Sequence, residues 1–151
     1  MRNKHHVKER IRLLFQTQKL AVLSTDDKGQ PYSSLVAFAG SQDLKRILFA
    51  TARTTRKFAN IVNNRRVALM INNSVNQEAD FHHAMAVTVT GRAIELTGSE
   101  KIRYQEVYLK KHPYLQDFVS APTCAMVCIR PAHYYLVENF QTVTELHLKP
   151  I

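Results

Sequence analysis

The sequence predicts a mainly β protein, an antiparallel barrel with a few helices packed around it. Three observations lead there. Short runs of β-branched and aromatic residues outnumber the amphipathic helical stretches. Most neighbouring runs are joined by short polar or glycine-containing turns, which antiparallel pairing permits and parallel crossovers do not. Strands also fail to alternate with helices as a parallel, doubly wound sheet requires. With 151 residues and no internal repeat or linker, residues 1–151 form a single domain with one sizeable core.

From about His6 to Thr17, the residues Val7, Ile11, Leu14 and Phe15 recur at helical spacing and predict an amphipathic opening helix. Leu20 to Thr25 is a short strand. It ends at Asp26-Asp27-Lys28-Gly29, a turn cluster in which glycine takes a positive φ at little cost. Pro31 to Ala39 is the returning strand of a hairpin. After the polar loop Gly40 to Lys45, Arg46 to Ala52 is a third strand. Thr54 to Asn63 reads as a helix, with Thr54 or Thr55 as its N-cap. Arg66 to Asn72 is a fourth strand, and Asn73 to His83 a polar connection. Ala84 to Leu96 is a long fifth strand that alternates through Val87, Val89 and Gly91. Ser99 to His112 is the second substantial helix, with Ile102, Val107 and Leu109 among its apolar residues, and Pro113 ends it. Cys124 to Ile129 and His133 to Phe140 form two strand segments around Pro131, and Val143 to Leu148 is the candidate for one more.

Composition excludes several classes of function. Hydrophobic residues make up 45% and charged residues 22%, which argues for a folded globular chain and against disorder. No apolar run approaches the roughly 18 residues of a membrane span, so no membrane partner is expected. The charged start, Met1-Arg2-Asn3-Lys4-His5-His6, has no signal-peptide character, and a cytoplasmic location is expected. Cys124 and Cys128 are the only cysteines. Four apart on a strand they share a face too far apart for easy bridging, and two buried free thiols are expected. The net charge of +9 is spread over several elements without one basic stripe interleaved with aromatics, so it reads mostly as a solvated surface and no nucleic-acid partner is expected. His82 and His83 adjoin Asp80 and Glu78, but adjacent residues on an extended segment point opposite ways, so no metal site is expected. Neither cysteine has a visible base beside it, and no Ser-His-Asp set or P-loop is present.

Chemistry concentrates between Ile47 and Ile61. There an apolar strand runs into Thr54-Thr55-Arg56-Lys57 and opens a helix. A helix N-terminus presents unpaired N–H groups and partial positive charge, which suits an anion. Threonine hydroxyls add donors, Arg56 offers a fork for phosphate oxygens, and Lys57 adds a point charge. The segment reads as a phosphate site for a small ligand; a capped, solvated helix start is the plainer alternative.

The ordered series Leu20–Thr25, Gly29–Val36, Leu48–Thr51 with Arg56-Lys57, Asn64–Leu69 and Val89-Thr90-Gly91-Arg92-Ala93 resembles the pyridoxamine-phosphate-oxidase-like FMN-binding split barrels. The resemblance covers about Leu20 to Phe140. It implies a six-stranded antiparallel barrel that dimerises and holds one FMN at each end of the subunit interface. On that model Arg56 and Lys57 grip the FMN phosphate and Thr55 completes the cradle. Ser33, Ser34, Leu35 and Val36 pass beside the isoalloxazine ring, and Ala50, Thr51 and Ala52 border the same ring from the neighbouring strand.

The departures from that pattern bear on activity. Ser34 and Ala39 stand where the oxidase has basic residues, and the chain has no tryptophan to stack on the flavin. The sequence after Glu145 also lacks the Arg- and His-bearing extension with which the oxidase holds its pyridoxal substrate. The expectation is therefore an FMN-dependent oxidoreductase acting on an unidentified small molecule, not a true pyridoxamine-phosphate oxidase, and no catalytic residue is named. Two alternatives stand beside it: a flavin-storing or redox-sensing protein without turnover, and a deazaflavin-dependent reductase. Haem binding occurs in some split-barrel relatives, but no histidine here has a convincing axial context. A tyrosine of the pair Tyr134 and Tyr135 is a further candidate for the border of the pocket.

Overall fold

A computed structural model describes residues 4–149; the extreme N-terminal residues read above, and the last two, lie outside the described residues. Strands β1 (Leu20–Asp27) and β2 (Gln30–Gly40) form the expected hairpin. Its two turn residues, Lys28 and Gly29, both take positive φ (51° and 92°), the turn whose twist suits a tight hairpin. The Gly29 N–H donates to Asp26 Oδ2 at 2.9 Å.

The remaining strands are β3 (Ile47–Ala52), β4 (Arg66–Asn72), β5 (Met85–Glu95), β6 (Cys124–Glu138) and β7 (Thr142–His147). Every pairing is antiparallel, in the order β3-β2-β1-β4-β5-β6-β7. A further β3–β6 ladder, from Ile47↔Ile129 to Ala52↔Cys124, closes six strands into a ring and leaves β7 hanging on β6. Alternation sends Leu23, Phe38, Phe49, Leu69, Val87, Val89 and Val127 into the ring, where all are buried.

Helices finish the core. Helix α1 (Lys4–Thr17) buries Val7, Ile11, Leu14 and Phe15, with the Phe15 ring edge-on to Phe38 at 5.9 Å. Helix α2 (Arg56–Asn63) lies against β1, adds Phe58 and Ile61 to the core, and ties itself down through Asn60 Nδ2, which donates to Thr25 Oγ1 at 3.0 Å. One turn of helix, α3 (Asp80–His83), sits within the segment read as a polar connection. Its Asp80 carboxylate accepts from the Val75 and Gln77 N–H groups, a local bond that fixes a turn too short to register as a periodicity. Helix α4 (Gly98–Lys111) covers the outside of β2, β3 and β6. A short 3-10 turn (Pro113–Leu115) and helix α5 (Gln116–Ser120) then lead back to β6, neither of which the sequence suggested.

One expectation needs correction. Pro131 does not divide two strands, because β6 runs unbroken through it. Thr90 pairs with His133 but Gly91 with Pro131, so Ala132 is the extra residue of a bulge, one of the few places a sheet tolerates proline. Of the apolar residues named for α4, Leu109 packs against the sheet, while Ile102 and Val107 are 67% and 45% exposed. Tyr104 and Tyr108 dock beside Leu109, and a count of aliphatic residues overlooks them because each ring carries a polar tip. Cys124 and Cys128 are free and buried on the outer face of β6 as expected. Burial pushes the Cys128 thiol up to about 11, far from a reactive thiolate.

Candidate functional site

The ring is split between β2 and β3. Their ladder holds only Gly40↔Ile47, Ala39↔Leu48 and Phe38↔Phe49. Ala37 and Ala50 come next in register, and Tyr108 of α4 stands between them. Its hydroxyl donates to the Ala37 carbonyl at 3.0 Å, and the Ala50 backbone approaches the same oxygen. Desolvation pushes this phenol up to about 12, so it stays a neutral donor. Tyr108 thus takes the place of the next ladder bond and ends the pairing. Beyond it β2 stays bonded to β1 while β3 stays bonded to β6, and the unpaired stretch between Ser33–Val36 and Ala50–Ala52 is the slot of the split ring. Tyr108→Phe leaves a buried carbonyl and amide without this partner and is expected to cost about 1–3 kcal/mol in urea unfolding. An unchanged midpoint would show that the hydroxyl does not hold the split.

The sequence-predicted residues divide between the slot's lining and its supports. By strand alternation Ser33 and Leu35 present backbone N–H and C=O to the same side as the Ala37 carbonyl, toward the slot. Their side chains face outward, and that of Leu35 is 62% exposed. Val36 points into the core. Ser34 shares that inward face, and its Oγ is buried with no hydrogen-bond partner. Ala50 and Ala52 lie half-buried on the outer face of β3. Thr51 is buried, its Oγ1 2.8 Å from Thr55 Oγ1.

Helix α2 begins at the mouth of this slot. Of the two candidate caps Thr55 is the one used: its Oγ1 accepts from Phe58 N at 3.3 Å and donates to the Ala52 carbonyl at 2.9 Å. Its hydroxyl is therefore committed to shaping the turn. The Arg56 and Lys57 N–H groups lie in the first turn, where no helix carbonyl can take them. The Arg56 guanidinium leans over the Tyr32 ring at 5.8 Å, and both are exposed. Arg53, the third base of this segment, is turned elsewhere. It grips Glu95 through both guanidinium nitrogens, lies 5.6 Å over Phe58, and holds the Glu95 carboxyl below its usual range.

Sequence reasoning missed Tyr108, Tyr32 and the orphaned position of the Ser34 hydroxyl. Tyr104 and Tyr108 stand one helical turn apart, a signal for a docked face, but nothing local says which strands that face meets. Tyr134 is a core residue whose hydroxyl donates to the Leu44 carbonyl at 2.6 Å, away from the slot. His133 and His147 face each other across β6 and β7 with Nδ1 atoms 2.6 Å apart. His82 and His83 are both exposed on α3.

A family model described as pyridoxamine 5'-phosphate oxidase matches residues 7–138. No curated protein matches the sequence. Solved structures share the fold. A heme binding protein from Mycobacterium smegmatis superposes with a TM-score of 0.84 at 15% identity over 97% of this chain, which spans only 59% of that protein's length. A protein of Clostridium acetobutylicum related to general stress protein 26, described as of the pyridoxinephosphate oxidase family, gives 0.74 at 12% identity over 97% of both chains. A FAD-binding protein from Mesorhizobium loti gives 0.68 at 14% identity over 85% of this chain and 91% of its own.

Proposed function

Because the chain belongs to the pyridoxamine 5'-phosphate oxidase family, we propose that it is an FMN-binding oxidoreductase that works as a homodimer on a small, unidentified substrate. The observation that carries this reading is the slot itself: a gap between two strands, with a capped and doubly cationic helix N-terminus at its mouth. The Ser33 and Leu35 backbone groups that lie beyond the end of the β2–β3 ladder fit the same reading, since the polar edge of a ring can take the bonds the missing ladder leaves open. A FAD-binding protein among the fold's solved structures is consistent with a flavin.

In this reading Arg56 and Lys57 hold the terminal phosphate, with the free N–H groups of the first α2 turn behind them. Thr55 positions that turn through its cap. The Ser33 and Leu35 backbones offer donors and acceptors to the polar edge of the ring, and the small Ala50 and Ala52 side chains leave its faces room. When bound, the flavin supplies reversible uptake of electrons, while the chain supplies binding, orientation and electrostatic tuning. The pairing of two copies draws on the outer face beside the slot, where Leu20 and Leu35 are 52% and 62% exposed.

An FMN titration followed by flavin fluorescence, with the complex weighed by light scattering, tests both parts. Saturation at one FMN per chain in a two-chain particle is expected. A monomer that binds flavin would refute the dimer, and a dimer indifferent to FMN would refute the cofactor.

A further inference from the structure

On the other half of the ring, across β4, β5 and β6, three arginines stand in a row. Arg66 faces Arg92 directly, and Arg92 faces Arg130 directly. All three lie on the outer face and are exposed, and Arg65 beside them is exposed as well. Like charges directly opposite on neighbouring strands destabilise a sheet. Among the described residues, no Asp or Glu oxygen lies within 4.0 Å of any of these guanidinium groups. The row therefore carries a cost that no ion pair among the described residues offsets.

Its surroundings are concave. A cavity of about 430 Å³ opens on one side of Arg92, with Arg66, His133, Ser24 and Thr90 in its wall and one acidic residue, Asp26, among them. A second, of about 320 Å³, opens on the other side, walled by Arg65, Arg92 and Arg130. Arg92 belongs to both. The β6 bulge shapes this junction, because Gly91 and Ala132 line both cavities and the extra residue sets where His133 projects.

We propose that this row is a second anion site, independent of the flavin slot, and that it binds a small molecule carrying two or more phosphates. Three forks spaced by one strand each, roughly 5 Å apart, suit several phosphate groups in one ligand better than a single one. The concave walls favour a compact ligand over an extended duplex, which would track a convex basic stripe. Hydroxyls beside the row add neutral donors for bridging oxygens. Arg92 is the central contact.

Inorganic pyrophosphate is the probe, added to wild type, Arg92→Gln and the double variant Arg56→Ala/Lys57→Ala. At about 100 times its Kd, pyrophosphate is expected to raise the wild-type thermal midpoint by roughly 5–10 °C. The Arg56/Lys57 variant should show the same rise, which separates this site from the flavin slot. In Arg92→Gln the rise should fall at least tenfold in apparent affinity, while the ligand-free midpoint stays level or increases as repulsion is relieved. An unshifted wild type at millimolar pyrophosphate would overturn the proposal. So would a shift that Arg92→Gln keeps, or a shift that only Arg56→Ala/Lys57→Ala loses. Salt-sensitive binding of a DNA duplex with indifference to pyrophosphate would replace it with a nucleic-acid surface.

Discussion

Replacing Arg56 and Lys57 together with alanine is expected to weaken FMN binding by at least an order of magnitude and leave the fold intact. Each charge-assisted contact to a phosphate contributes about 1.5–3 kcal/mol, and about 1.4 kcal/mol already corresponds to tenfold in Kd. Neither side chain supports the structure. Arg56 is exposed and leans over the exposed Tyr32 ring, and neither Arg56 nor Lys57 makes an ion pair among the described residues. The helix start is held by the Thr55 cap and the buried Asn60–Thr25 bond, both untouched by the change. Alanine is also a good residue for a helix interior. A variant with wild-type stability and wild-type FMN affinity would remove the phosphate assignment and leave a merely capped, solvated helix.

The largest effect on stability is expected at Gly91. A methyl group there would lie 2.3 Å from the Arg130 carbonyl oxygen and 3.0 Å from Pro131 Cα. Both are backbone atoms of a strand buried in the ring, so neither can swing aside. Pro131 has no N–H with which to re-pair, and the bulge cannot slip by one residue without turning the β6 core residues outward. Gly91→Ala should therefore cost about 3 kcal/mol or more, toward the upper end for overpacking. Urea unfolding checks it through a lower midpoint at unchanged slope. A loss under about 0.5 kcal/mol, the range of ordinary surface substitutions, would mean that the strands separate freely at the bulge.

Much of this architecture is legible in the residues because its signals are local. The hairpin is written in Asp26-Asp27-Lys28-Gly29, and α1 in the spacing of Val7, Ile11, Leu14 and Phe15. The anion-suited start of α2 is written in Thr55-Arg56-Lys57. What stayed hidden depends on partners far along the chain. Pro131 looks like a strand break until Gly91, 40 positions earlier, is seen making room for it. Ile102 and Val107 are apolar but exposed on α4, and Tyr108 is buried in their stead because its hydroxyl meets the Ala37 carbonyl as its ring fills the sheet's outer face. The arginine row is invisible in sequence, since three separated residues become neighbours only through register. For the site, sequence supplied the residues, and the fold sorted Ser33 and Leu35, with backbone turned to the slot, from Val36, with its side chain in the core.

The visible absorption spectrum of the purified protein, taken with added FMN and then with NADH or NADPH, tests the central claim most directly. The account predicts flavin bands perturbed by binding at one per chain, which bleach on addition of the nicotinamide and return when an acceptor is supplied. Bound flavin that does not bleach with either reductant would contradict turnover and leave a flavin-storing protein. A protein that leaves the FMN spectrum unchanged would contradict the cofactor assignment itself and turn the slot toward a deazaflavin or another ligand.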